Sequence, residues 1–127
     1  MNVVDSCGWL EYFAGGPNAS VFAPILEAHD GTLLVPTLCL HEVLRCLLNE
    51  FDQHQALLAV AVMREAMVVP VHTELALNAA ILSRELKLPM ADSIILATAR
   101  SLNAVLWTQD AHFAHIEGVR YCAKSAR

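Results

Sequence analysis

The chain alternates short apolar runs with longer stretches of helical period, and a turn or capping residue marks most changes of period. Residues 1–4 predict a strand that Asp5-Ser6 ends. A helix over residues 7–14 follows, stopped by Gly15-Gly16-Pro17. Asn18 is placed to cap a second helix reaching about His29, and residues 32–35 predict a second strand. A third helix covers residues 38–50, and a fourth, capped by Asp52, covers residues 53–67. The third strand, residues 68–71, contains Pro70 and should be peripheral, because proline offers no N–H to a ladder. Thr73 and Glu74 open a fifth helix that runs to Leu86, before Pro89. Residues 91–102 predict a sixth helix, stopped by Asn103, and residues 104–108 a fourth strand. A helical turn opens after Asp110, and residues 119–122 predict a last edge strand. Strands alternating with helices in this way predict a parallel sheet covered on both faces.

One stretch turns that pattern toward chemistry. A helix of about 12 residues rises roughly 18 Å, and a returning strand of about five residues runs roughly 16 Å back. Asp92 at the helix start and Asp110 at the strand end are therefore expected at the same edge of the sheet, although 18 positions separate them. In open α/β sheets, the carboxyl edge of the strands is where sites form. Asp5, directly after the first strand, is expected at that edge, and so is Glu42, about one turn into the helix that follows the second strand. Each acid also has a plainer reading. Aspartate is a favoured N-cap, and Glu42, opposite the stripe of Leu40, Val43, Leu44, Leu47 and Phe51, suits a solvated acid paired with Arg45. The residues alone leave both readings open.

Composition changes the picture in two ways. At 127 residues the length is that of one domain, residues 1–127, with enough chain for a substantial core. Hydrophobic residues make up 56% and mean hydropathy is +0.46, yet the longest apolar run, residues 56–63, is far short of the ~20 residues that span a bilayer. The excess points to a densely buried sheet and to an apolar surface that a partner covers. Asp5 interrupts any leader-like start, and the four cysteines (Cys7, Cys39, Cys46, Cys122) read as reduced, mostly buried thiols, so a cytoplasmic location is expected. The net charge of −5, with eight scattered Lys and Arg residues, argues against gripping nucleic acid by charge alone.

Four carboxylates held close repel and raise one another's pKa unless a cation compensates. With only oxygen donors on offer, Mg²⁺ or Mn²⁺ is favoured over zinc. Ser6 and Thr108 are placed to orient ligands or water by hydrogen bonding. His112 and His115 stand beside Asp110, but no cysteine or third ligand completes a zinc pattern, and His41 reads as a surface residue. There is no glycine-rich phosphate loop and no G-x-S-x-G elbow. A phosphoreceiver site is excluded by His72 and Gln109, where an acceptor Asp and a Lys would be needed.

Taken in order, Val3-Val4-Asp5-Ser6, Glu42, Leu88-Pro89-Met90-Ala91-Asp92-Ser93-Ile94-Ile95 and Thr108-Gln109-Asp110-Ala111-His112-Phe113 resemble the PIN-domain ribonucleases, specifically the VapC-type toxins of bacterial and archaeal toxin–antitoxin pairs. Each motif is short; their order and spacing cover essentially the whole chain. The departures are Cys7 and Gly8 after Ser6, and Ser93 where alanine is common. The resemblance implies a PIN-like α/β/α sandwich with a short, mostly parallel central sheet of four to five strands. It implies that Asp5, Glu42, Asp92 and Asp110 bind one or two Mg²⁺ or Mn²⁺ ions for in-line hydrolysis of RNA phosphodiesters, with Asp5 and Asp92 the most necessary. Local help toward RNA is expected from Arg45, Lys87 or Arg100. It further implies a homodimer, silenced by an antitoxin that wraps apolar helices, for which residues 57–67 suit a groove. Two other expectations stand beside it: a catalytically silent partner-binding scaffold, and a nuclease acting on DNA or flap substrates.

Overall fold

The computed structural model describes residues 1–125. In chain order the elements are β1 (Asn2–Val4), α1 (Ser6–Ala14), α2 (Ala19–Leu26), β2 (Leu33–Pro36), α3 (Thr37–Leu47), α4 (Gln53–Met63), β3 (Met67–Val69), α5 (Thr73–Leu86), α6 (Met90–Ser101), β4 (Val105–Thr108), a 3-10 turn (Ala111–Phe113) and β5 (Val119–Tyr121). The strands form one sheet in the order β3-β2-β1-β4-β5, and every pairing is parallel. The chain thus builds outward from β1 through β2 to β3, then returns to lay β4 and β5 on the other side of β1. The reversal makes the gap between β1 and β4, at the carboxyl ends of the strands, a topological switch point.

The sheet is covered on both faces, because neighbouring residues of one strand point to opposite sides and both are buried. Val3 and Val4 in β1, and Leu34 and Val35 in β2, are almost fully removed from solvent. Around them pack Trp9 and Phe22 from the first two helices, Val43 from α3, Ile95 and Leu96 from α6, and Phe113 from the 3-10 turn. Each such side chain contributes roughly 1.5–3 kcal/mol by leaving water. Ser93, the departure from alanine noted above, is tolerated in this core because its Oγ donates to the Met90 carbonyl at 2.7 Å.

Several boundaries move from their sequence expectations. α2 ends at Leu26, and His29 sits in the left-handed region at φ 49°, which stops the helix short of it. α3 ends at Leu47 rather than Glu50. α4 ends at Met63, and Met67 is recruited into β3 by pairing with Leu34; the ladder decides a register that helix propensity cannot. Pro70 lies just outside this edge strand. Asn18 starts α2 without a side-chain cap bond. Its amide instead donates to Gln109 Oε1 and to the Ala123 carbonyl, each at 3.0 Å, tying the α1–α2 junction to the end of β4 and the C-terminal segment. The cysteines are free, but only Cys39 is buried; Cys7 and Cys122 are partly exposed and Cys46 is exposed.

At Gly8, α1 lies close against the sheet. A Cβ there would lie 2.6 Å from Val4 Cγ1 and 3.0 Å from the Phe22 ring. Gly8→Ala is therefore expected to destabilise the fold by about 1–3 kcal/mol through overpacking, measured by denaturant unfolding. An unchanged midpoint would mean that α1 can lift from β1 at no cost.

Candidate metal centre

Asp5 directly follows β1 and caps α1, its Oδ1 accepting from the Ser6 backbone N–H at 2.8 Å. Its Oδ2 faces β4, where Thr108 Oγ1 donates to it at 2.7 Å. The Cys7 thiol lies 3.4 Å from the same oxygen and 3.3 Å from Thr108 Oγ1. Thr108 Oγ1 also accepts the Asp110 backbone N–H at 3.0 Å. One threonine therefore couples the carboxylate that follows β1 to the backbone that follows β4. Asp5 is only 3% exposed, so these donors replace the water it gives up.

Glu42 reaches this carboxylate through Ser6, whose Oγ donates to Glu42 Oε1 at 3.1 Å. The alternative pairing with Arg45 is not formed: Arg45 Nη1 donates to Asn49 Oδ1 at 2.9 Å. Asp92 does not cap its helix. Pro89 holds that position, which leaves the carboxylate in the first turn of α6 free to face the rim, where negative charge is favoured by the helix dipole. Asp110 does cap, its Oδ1 accepting from the His112 backbone N–H at 2.9 Å. Asp5, Glu42, Asp92 and Asp110 thus stand around one edge, and Ser6 and Thr108 bond directly to members of the set. Arg100 is not at this edge. It lies in the last turn of α6, roughly two turns from Asp92, and reaches toward the Glu117 carbonyl at 3.4 Å.

The residue set aside in sequence, for want of a zinc pattern, is His112. Its Nδ1 lies 2.7 Å from Asp92 Oδ2 and 3.3 Å from Asp110 Oδ1, while its side chain remains 57% exposed. The D-x-H spacing places a histidine over its own capping aspartate. What sequence spacing does not carry is the approach of that turn to the start of α6.

Electrostatics follow from this crowding. Burial raises the Asp5 carboxyl, the bonds from Thr108, Cys7 and Ser6 lower it, and the charge of Asp110 raises it further. Burial also raises Glu42, against the bond from Ser6, with Asp5 and Asp92 adding to the rise. Asp92 is raised by burial and by Asp110 and Asp5, against its bond to His112. His112 is raised by its bond to Asp92 and by the charge of Asp110. Burial pushes the Cys7 thiol up to about 12, with Asp5 adding to it, so Cys7 is a neutral donor here. Among the described residues, His112 is the one basic side chain within ion-pair distance of these carboxylates. A hard, oxygen-rich rim in which burial, with neighbouring charge adding to it, raises Asp5, Glu42 and Asp92 fits a small divalent cation such as Mg²⁺ or Mn²⁺. Asp92, Asp110 and His112 each place a ligand atom within 4.8 Å of the others.

The family model described as the PIN domain matches residues 3–119, and the chain belongs to that family. No curated protein matches it. Solved structures share the fold. A toxin–antitoxin complex from Klebsiella pneumoniae superposes with a TM-score of 0.77 at 24% identity, covering 94% of this chain and 95% of that one. VapBC2 from Rickettsia felis, bound to a DNA fragment from its promoter, gives 0.74 at 15% identity over 98% of both chains. VapC20 from Mycobacterium tuberculosis, described as a sarcin–ricin loop cleaving toxin, gives 0.72 at 20% identity over 94% and 98%.

The raised carboxyls make a pH prediction. A folded-state pKa above the unfolded value contributes stability that is complete below the unfolded value and is lost as pH rises through the folded one. Asp5, Glu42 and Asp92 lose theirs from about pH 4 upward, and His112, also raised, loses its share above about pH 6.5. Asp5→Asn mimics the protonated form. In EDTA its melting temperature is expected to exceed the wild type's at pH 7.5, with the gap closing toward pH 4. A gap that does not change with pH would show that the Asp5 charge carries no cost in the fold.

Proposed function

We propose that this PIN-domain protein is a metal-dependent endoribonuclease of the VapC type, the toxin of a toxin–antitoxin pair. The observation that carries the reading is the set of four carboxylates at the β1/β4 switch point, with no Lys or Arg in ion-pair contact among the described residues. Asp5, Glu42, Asp92 and Asp110 would hold one or two Mg²⁺ or Mn²⁺ ions. An ion bound there supplies Lewis-acid stabilisation of phosphate charge and lowers the pKa of water. The chain's own groups do the positioning. Thr108 and Cys7 fix the Asp5 carboxylate, Ser6 holds Glu42 beside it, and the Asp110 cap presents the turn that carries His112. The cation also answers the charge objection, since a loaded rim attracts a phosphodiester that the free rim repels. A toxin similar in fold is described as cleaving the sarcin–ricin loop, which makes structured RNA the substrate class to test. We place the protein in the cytoplasm, where its free thiols stay reduced; among the described residues no helix is long and apolar enough to cross a membrane.

Two apolar surfaces suit the expected partners. Leu10 and Phe13 of α1, Leu47 at the end of α3, Phe51 in the α3–α4 connection, and Leu58 of α4 line a groove of about 750 Å³. It is open and apolar enough for an amphipathic antitoxin helix. α4 therefore contributes through Leu58, while Val60 and Met63 of the same segment face the core. On α5, Leu77 (62% exposed) and Ile81 (55%) form an outward stripe four residues apart, away from the Leu75 and Ala79 side that packs on α6. We assign that stripe to a second copy of the chain.

Purified protein is expected to cleave structured RNA with Mg²⁺ or Mn²⁺, to lose activity in EDTA, and to lose at least 10²-fold in rate as Asp92→Asn, with circular dichroism unchanged. Preferred cleavage of single-stranded DNA or flaps would replace the RNA assignment. Full toxicity of Asp5→Asn in cells would favour the silent-scaffold reading. In sedimentation, Ile81→Asp should move the protein from dimer toward monomer mass; a wild-type monomer, or an unaltered dimer in the variant, would reject the α5 interface.

A further inference from the structure

We propose that His112 is a direct nitrogen ligand of the divalent ion at this rim, making the centre a mixed oxygen–nitrogen site rather than one built from carboxylates alone. The inference rests on the metal-centre reading above and goes beyond it by naming a donor outside the acidic quartet.

The geometry points there from three sides. Donor atoms on adjacent corners of an octahedron with bonds of about 2.1 Å lie roughly 3 Å apart. His112 Nδ1 lies 2.7 Å from Asp92 Oδ2 and 3.3 Å from Asp110 Oδ1, which brackets that spacing for two carboxylates on different elements. The ring is also delivered rather than free-swinging. Its backbone N–H is held by Asp110 Oδ1, and the next residue, Phe113, is fully buried in the core. A ring that is merely a surface histidine would not have its backbone fixed by one member of the site and its Nδ1 held against another. Finally, its exposure leaves room for the small rotation that replaces a hydrogen bond with a metal bond, without repacking the core. Nδ1 and Asp92 Oδ2 stand at hydrogen-bond distance, and a cation bound to both would displace any proton between them to solvent.

An imidazole donor changes which metal is preferred. Nitrogen ligands favour Mn²⁺ over Mg²⁺, whereas carboxylate oxygens serve both. Removing the ring should therefore weaken Mn²⁺ binding by roughly 10–100-fold and Mg²⁺ binding by much less.

The test is pulsed electron paramagnetic resonance on the full chain loaded with Mn²⁺. Wild type should show modulation from a directly bound ¹⁴N nucleus, and so should His41→Ala, which removes the other ring close to Glu42. His112→Ala should bind Mn²⁺ more weakly and lose the modulation. Wild type grown with ¹⁵N-histidine should show the corresponding isotope change, a check that needs no substitution. Bound Mn²⁺ without nitrogen modulation in wild type, or modulation that survives in His112→Ala, overturns the assignment of His112 and leaves the carboxylate centre standing. Mn²⁺ that remains free in solution with wild type overturns both.

Discussion

The rim exists because β1 pairs in parallel with both β2 and β4, so that strands adjacent in space finish at one edge although they come from distant parts of the chain. Val3 opposes Leu34 on one side and Leu106 on the other, and these three residues are buried. Slipping either register by one residue would exchange side chains between two differently packed buried faces and move Asp5 away from Thr108. Packing of the sheet core therefore fixes the position of the carboxylates to within hydrogen-bond tolerance. Gly8 belongs to the same constraint, since α1 lies close enough to β1 for Asp5 to cap the helix while its other oxygen meets β4.

The arrangement works against the stability of the free fold. A carboxylate removed from water and set among three others is held above its ordinary pKa, and hydrogen bonds from Thr108 and Ser6 offset only part of that cost. The hydrogen bonds determine orientation as much as energy. Thr108 has one hydroxyl proton, given to Asp5, so its oxygen is left to accept from Asp110 N. That directional chain links the end of β1 to the turn bearing His112. Substitution at Thr108 would therefore disturb two carboxylates and one imidazole together, although threonine itself is no ligand.

Much of this was legible in the sequence, for identifiable reasons. The alternation of strand and helix shows because a buried parallel strand and an amphipathic helix have different periods, and lengths alone bring Asp92 and Asp110 to one edge. Local chemistry also read well at Asp52, which caps α4 by accepting from Gln55 N at 2.8 Å. Interactions between distant segments did not show. Asn18 looks like a cap, but buried partners at Gln109 and Ala123 compete successfully for its amide. Glu42 lies opposite the apolar stripe of its helix, which reads as solvent; here that side is the rim. Met67 continues a helical pattern until β2 offers it a ladder. His112 has no ligand spacing because its partner on α6 is 20 positions earlier.

The same separation of local from long-range order keeps the surfaces assigned to the proposed substrate and partners apart. The carboxylates cluster at the strand ends, whereas the open groove involves α1, α3 and α4, and the exposed stripe of Leu77 and Ile81 lies on α5. An antitoxin helix in the groove would not need to displace a side chain of the rim, because Leu10 and Phe13 lie further along α1, beyond the turn that Asp5 caps. Binding there alone therefore leaves the chemistry exposed. On the proposed toxin reading, silencing would come from a partner that continues past the groove to the rim or alters how α1 leaves β1. The close contact of Gly8 with Val4 and Phe22 resists movement of α1 toward β1, so on the proposed toxin reading a partner would block the site most directly by covering the carboxylates with its own chain.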